Sequence, residues 1–136
     1  MGNSKKEETK KLICVTSQGD NLNSDVDPRF GRCQYFIIVD TESMHFEALK
    51  NPNISGMGGV GVQSAQLIAD RGVQAVLTGN VGPNAFQTLQ AAGIEIVTGV
   101  EGVVREAVEK YKEGRFKSTS APTVEHKSGM SNENGS

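Results

Sequence analysis

Apolar residues follow two rhythms along this chain, and the rhythm changes between Leu49 and Val60. On the early side, Leu12-Ile13-Cys14-Val15 is an unbroken apolar run with β-branched members, the pattern of a strand buried on both faces. Residues 16–32 are rich in Gly, Asp, Asn, Ser and Pro and predict a long loop, a length that in a compact domain usually serves function. Tyr35-Phe36-Ile37-Ile38-Val39 predicts a second strand. A short turn at 40–43 and the alternating segment 44–49 complete a hairpin whose outer strand is half exposed at a sheet edge.

On the later side the apolar positions recur at helical spacing. Val60, Ser64, Leu67 and Ile68 form one stripe, stopped by Gly72. Ala85, Phe86, Leu89 and Ala92 form a second, stopped by Gly93. Val103, Val104, Ala107, Val108 and Tyr111 form a third, stopped by Gly114. Short apolar runs at 73–78 and 94–97 separate them and predict strands. The order is β-β-β-α-β-α-β-α. Strands alternating with helices imply parallel neighbours, and the initial hairpin adds an antiparallel member. The expected fold is a single α/β domain with a mixed, mostly parallel five-stranded sheet and flanking helices. The first strand lies in the middle, between the hairpin and the parallel strands. Residues 1–10 and 117–136 are polar with few large apolar side chains, so they are expected as disordered tails around a domain at 11–116.

Composition narrows the function classes. The chain has 136 residues and a formal net charge of −2, without the basic footprint of a nucleic-acid binder. No apolar run approaches the roughly 20 residues of a membrane span, and no apolar signal region opens the chain. Two cysteines, Cys14 and Cys33, do not make a disulfide framework. The expectation is a soluble cytoplasmic protein, monomer or homodimer, with neither nucleic acid nor membrane as partner.

Candidate chemistry gathers in three loops. Asp25-Val-Asp-Pro-Arg-Phe-Gly-Arg-Cys33 places two carboxylates, two guanidiniums and a thiol around a Pro turn. Arg29 and Arg32 could neutralise an anion, with Asp25 or Asp27 holding them. Cys33 follows Arg32, and neighbouring cations are expected to lower its pKa towards thiolate. Cys14 sits in an apolar run and reads as core. The second loop, Gly56-Met-Gly-Gly-Val-Gly61, fits G-x-G-x-x-G, so Gly58 and Gly59 are candidates for bringing backbone N–H groups to an anion at a helix start. As a dinucleotide fingerprint it is weak, because it follows an edge hairpin and no acid closes the following strand. The third, Gly79-Asn-Val-Gly-Pro-Asn84, offers Asn80, Gly82 and Asn84 beside a proline suited to the first helical turn. All three loops are expected at the carboxyl end of the parallel strands, where open α/β sheets bind ligands. There is no Walker loop, G-x-S-x-G, H-E-x-x-H or C-x-x-C, and no His in the expected site. That set binds more readily than it turns over, so no enzyme activity is expected.

Ser24-Asp25-Val26-Asp27-Pro28-Arg29-Phe30-Gly31-Arg32, Tyr35-Phe36, Asn51-Pro52-Asn53, the 56–63 segment and Thr78-Gly79-Asn80-Val81-Gly82-Pro83-Asn84-Ala85-Phe86 together resemble the dinitrogenase iron–molybdenum cofactor biosynthesis family. This family includes NifX-like and NifY-like carriers and the C-terminal part of NifB. The resemblance runs from about Leu12 to Tyr111. It implies a ribonuclease-H-like fold and a carrier or scaffold for an iron–sulfur or iron–molybdenum-type cluster or its precursor, served by cluster donor and acceptor proteins. The nitrogenase carriers have His-Phe-Gly where this chain has Arg29-Phe30-Gly31, as in the stand-alone branch of the family found in archaea and anaerobic bacteria. The family His is the expected cluster ligand, and Arg does not ligate metal, which leaves Cys33 as the candidate ligand. Ordinary clusters take four thiolates, a number two cysteines approach only by bridging a homodimer. Two other functions stand beside this one. A binding module for a small anionic metabolite or nucleotide needs no metal and tolerates Arg29. A metal-dependent nuclease ranks last, because the first strand carries no carboxylate.

Overall fold

The computed structural model describes residues 11–53 and 59–123. Its elements are β1 (Leu12–Ser17), β2 (Tyr35–Asp40), β3 (Phe46–Lys50), α1 (Val60–Ala69), β4 (Ala75–Leu77), α2 (Pro83–Ala91), β5 (Glu95–Val97) and α3 (Val104–Lys112). Kind and order match the pattern of apolar positions. The strands form one five-stranded sheet in the order β3-β2-β1-β4-β5. β1 is central, antiparallel to β2 and parallel to β4, and β5 continues the parallel half. Because β3 is antiparallel to β2, it runs with β1, and β2 alone opposes the other four strands.

The sheet is covered on both faces. Cys14, Phe36, Ile38, Val76 and Ile96 pack with Ala65 and Ile68 of α1 and with Phe86 and Leu89 of α2. Ile13, Val15, Ile37, Val39, Leu77 and Val97 pack with Val104, Ala107 and Val108 of α3 on the opposite face. This explains the unbroken apolar runs within β1 and β2, while the edge strand β3 is only partly covered and leaves Phe46 41% exposed. Burying a Val, Ile or Phe side chain contributes about 1.5–3 kcal/mol before entropy is counted, so these two layers hold the domain together.

Three details differ from the sequence pattern. β1 extends to Thr16 and Ser17, polar residues that are fully buried. β3 starts at Phe46, after Met44 adopts a positive φ of 64° and ends the hairpin turn. The third concerns residues 117–123, expected as part of a disordered tail: Ser118 and Thr119 instead lie beside the outer edge of β5, and Thr123 reaches the turn after β4. The Glu95 N–H donates to the Gln74 carbonyl and the Thr78 N–H to the Val97 carbonyl, so the backbone carbonyl of Ile96 points away from β4, where it accepts the Thr119 N–H at 2.6 Å. The Thr98 N–H in turn donates to Thr119 Oγ1 at 3.0 Å. A polar composition thus carries order here through backbone and hydroxyl hydrogen bonds rather than through apolar burial.

Candidate functional site

β1 and β4 are parallel neighbours, so the loops that leave their carboxyl ends emerge side by side. The loop after β1 is folded back on the sheet rather than extended. The Asp27 N–H donates to the Thr16 carbonyl at 2.9 Å, and the Val26 N–H reaches the Gly102 carbonyl at 2.8 Å. Beneath it, Thr16 Oγ1 lies 2.7 Å from the Asp27 carbonyl and 2.8 Å from Thr78 Oγ1. Phe30 inserts into the core, 2% exposed, with its ring centroid 5.8 Å from that of Phe36. Arg29 and Arg32 are therefore carried on either side of a buried anchor.

A second set of contacts joins this loop to the turn after β4. The Asn80 N–H donates to the Pro28 carbonyl at 2.8 Å, and the Phe30 N–H returns to the Asn80 carbonyl at 3.2 Å. The approach is so close that a Cβ on Gly79 would stand 2.7 Å from Pro28 Cα, which is why the position is glycine. Asn51 fastens the far side. Its Nδ2 donates to the carbonyls of Gly31 and Cys33 at 3.0 and 2.9 Å, while its Oδ1 accepts the Asn53 N–H.

Charge is arranged in the same way. Asp27 is 1% exposed, and its carboxylate accepts the backbone N–H groups of Arg29 and Gln34 at 3.1 and 3.3 Å. It also pairs with Arg29 Nε at 3.4 Å, yet the Arg29 side chain remains 47% exposed. Of the two expected carboxylate partners, Asp27 is the one that positions Arg29. Asp25 instead forms a backbone bridge with Val103.

These loops enclose a cavity of about 440 Å³. Arg29, Arg32, Gly59, Asn80, Gly82 and Asn84, all expected at the site, line it. Gly58 lies outside the described residues. The helices α1 and α2 both begin at the cavity, at Gly59 and Gly82, and neither has a side-chain cap on its first turn. First-turn N–H groups and the positive ends of two helix dipoles thus meet two guanidiniums. Gly61 lets the helices close up, since a Cβ there would stand 3.1 Å from that of Ala85.

Cys33 corrects an expectation. It is fully buried in the same core cluster as Cys14, Phe30 and Phe36 and does not line the cavity. Burial pushes its thiol well above the ordinary cysteine range, with the Cys14 and Asp27 charges adding to the rise and Arg29 opposing it weakly. Burial thus works against the thiolate expected from its neighbour Arg32, because desolvation outweighs a nearby cation. Among the described residues, no three His, Cys, Asp or Glu side chains converge as a metal-ligand group. Asn51, Thr16, Thr78 and Thr123 complete the site without having been named as candidates; Asn51 and Thr78 lay in blocks that carried the family resemblance, and Thr16 and Thr123 were unmarked.

A larger cavity, about 650 Å³, lies at the opposite end of the parallel strands and is lined by Lys11, Gln74, Glu95, Tyr111 and Lys112 among others. There the Tyr111 hydroxyl donates to Glu95 Oε1 at 2.9 Å, and its pKa is pushed up to about 12 by burial and by that carboxylate. None of the described residues of the three candidate loops lines it, so size alone does not mark the site.

Residues 10–114 match the family model described as dinitrogenase iron-molybdenum cofactor. The chain belongs to the dinitrogenase iron–molybdenum cofactor biosynthesis family. Among solved structures of similar proteins is the apo form of the orange protein from Desulfovibrio gigas, 40% identical, with a TM-score of 0.81 over 85% of this chain and 98% of that one. A Thermotoga protein assigned as a candidate NifB is 38% identical, with a TM-score of 0.73 over 85% of this chain and 99% of that one. An uncharacterised Methanocaldococcus jannaschii protein shares 35% identity over 97 residues, covering 69% of this chain and 82% of that relative. The family model spans all three candidate loops but ends before the segment on the outer edge of β5. No helix among the described residues is long and apolar enough to cross a membrane.

Proposed function

We propose that this family member is a carrier or scaffold that holds an anionic iron–sulfur or iron–molybdenum-type cluster, or its precursor, in the 440 Å³ cavity by charge and backbone hydrogen bonds. The observation that carries the reading is the convergence of Arg29, Arg32 and two uncapped helix starts on one concave surface. Such groups stabilise an anion without bonding to its metal, which suits cargo that must later be released. Arg29 in place of the family His fits the same logic, since it exchanges a metal ligand for a counter-charge. The strand order and directions accord with the ribonuclease-H-like arrangement that the family resemblance implies. The reading assigns the protein to the cytoplasm, with cluster donor and acceptor proteins as partners and no reaction of its own.

The test is anaerobic titration with preformed iron–sulfur and iron–molybdenum-type clusters, followed by metal analysis of the desalted protein. Wild type should retain cluster near stoichiometrically, and Arg29→Ala should weaken retention about tenfold, the usual scale for one charge-assisted contact. Cys33→Ser should retain it like wild type. Loss in Cys33→Ser with the fold intact would require the core to open and would replace the ionic cradle with thiolate ligation. Failure of wild type to retain any cluster would leave the second reading, a module for a small anionic metabolite or nucleotide. The same cradle supports that reading, and thermal stabilisation by phosphate-bearing ligands, lost in Arg29→Ala, would favour it.

A further inference from the structure

The chain beyond α3 returns to the candidate site. Thr119 is held on β5 by the Ile96 carbonyl and the Thr98 N–H. Four residues on, Thr123 meets the turn after β4 with two hydrogen bonds. Its N–H donates to the Val81 carbonyl at 2.7 Å, and its Oγ1 accepts the Val81 N–H at 2.9 Å. Thr119 and Thr123 are half-buried, and residues 120–122 between them are exposed, so the segment spans from one anchor to the other. Thr123 also lines the 440 Å³ cavity.

The geometry points to residues 118–123 as a clasp that positions the anion-binding turn. Val81 is flanked by two cavity residues, Asn80 and Gly82, and Gly82 opens α2. Loop contacts fix Asn80 on one side, and Thr123 fixes both backbone groups of Val81 on the other. With the clasp closed, the N–H groups of the first turn of α2 have one direction, and a bound anion meets them without reordering the turn. An anion in the cavity would also lie against Thr123, so ligand and clasp must stabilise each other to the same extent. Thr123 acts here through the turn and is a positioning residue. This inference rests on the reading of the cavity as an anion site.

The full-length protein tests it, with the iron–molybdenum-type cluster as probe. Retention by wild type is established first, and its failure there would overturn the carrier reading and, with it, the clasp as a device that governs cluster release. Given retention, Thr123→Val removes the acceptor while keeping the shape, and Thr123→Ser keeps the acceptor. Thr123→Val should speed amide exchange at Val81 and raise the rate of cluster release, each about tenfold, a common size for coupled sites. Thr123→Ser should restore both. Bound cluster should slow tryptic cleavage after Lys117 in the wild-type chain. A cluster that leaves Thr123→Val at the wild-type rate, or leaves Lys117 cleavage unchanged, would overturn the clasp and leave the carrier reading standing.

Discussion

Asp27 and Asn51 are polar residues spent inside the fold to aim others. Asp27 holds Arg29 by backbone and side chain together, so the guanidinium is presented rather than free to sweep. Asn51 satisfies two carbonyls from an almost fully buried position. Replacing it with alanine leaves those carbonyls without that donor, and Asn51→Ala should destabilise the protein by about 1–3 kcal/mol in urea unfolding. The two cysteines make a sharper test. Both thiols are pushed far up, Cys14 by burial and Cys33 chiefly so. They should resist a thiol reagent in the native protein at pH 8 and react at once in denaturant. Ionisation is held back only in the folded state, so the native chain binds more protons than the unfolded one above the ordinary cysteine pKa. Stability is therefore complete below about pH 8.5 and falls as pH rises beyond it, by up to about 1.4 kcal/mol per pH unit for each thiol. Unfolding measured from pH 8 to 11 should show a shallower decline in Cys33→Ser.

At the scale of elements, the loop after β1 and the turn after β4 behave as one unit, joined through Gly79 and Pro28. Gly79→Ala would drive a methyl group into the Pro28 backbone, and should cost about 1–3 kcal/mol, the usual range for overpacking. The kind and order of every strand and helix were legible because each buries an apolar face with its own period. The three loops were legible as a site because Gly, Pro, Asn and Arg crowd them beside predicted strand ends. What the loops do to one another was not, since it is written in backbone hydrogen bonds that any residue can make. Cys33 was misread for a related reason. Its neighbour Arg32 gave it a cation in sequence, but side-chain direction at the entry to β2 turned it into the core. Thr119 and Thr123 were hidden in a polar stretch whose ordering depends on edges exposed only once the sheet has formed.

As a whole molecule, the protein carries net negative charge yet brings two guanidiniums and two helix starts to one cavity. Anion binding there should weaken as salt rises, because the Debye length shrinks to about 10 Å at 0.1 M. Cluster affinity measured from 20 to 500 mM salt should fall steadily in wild type, and less steeply in Arg29→Ala. The two rims of the sheet are also unequal, with β5 covered by the chain itself and β3 left at the edge with Phe46 exposed. The uncapped starts of α1 and α2 carry one further consequence, for anyone who probes the site by mutation. Their donors belong to the main chain, which every amino acid but proline supplies alike. An alanine scan would find the arginines and pass silently over much of the recognition surface, whereas amide-to-ester replacement in those first turns would uncover it.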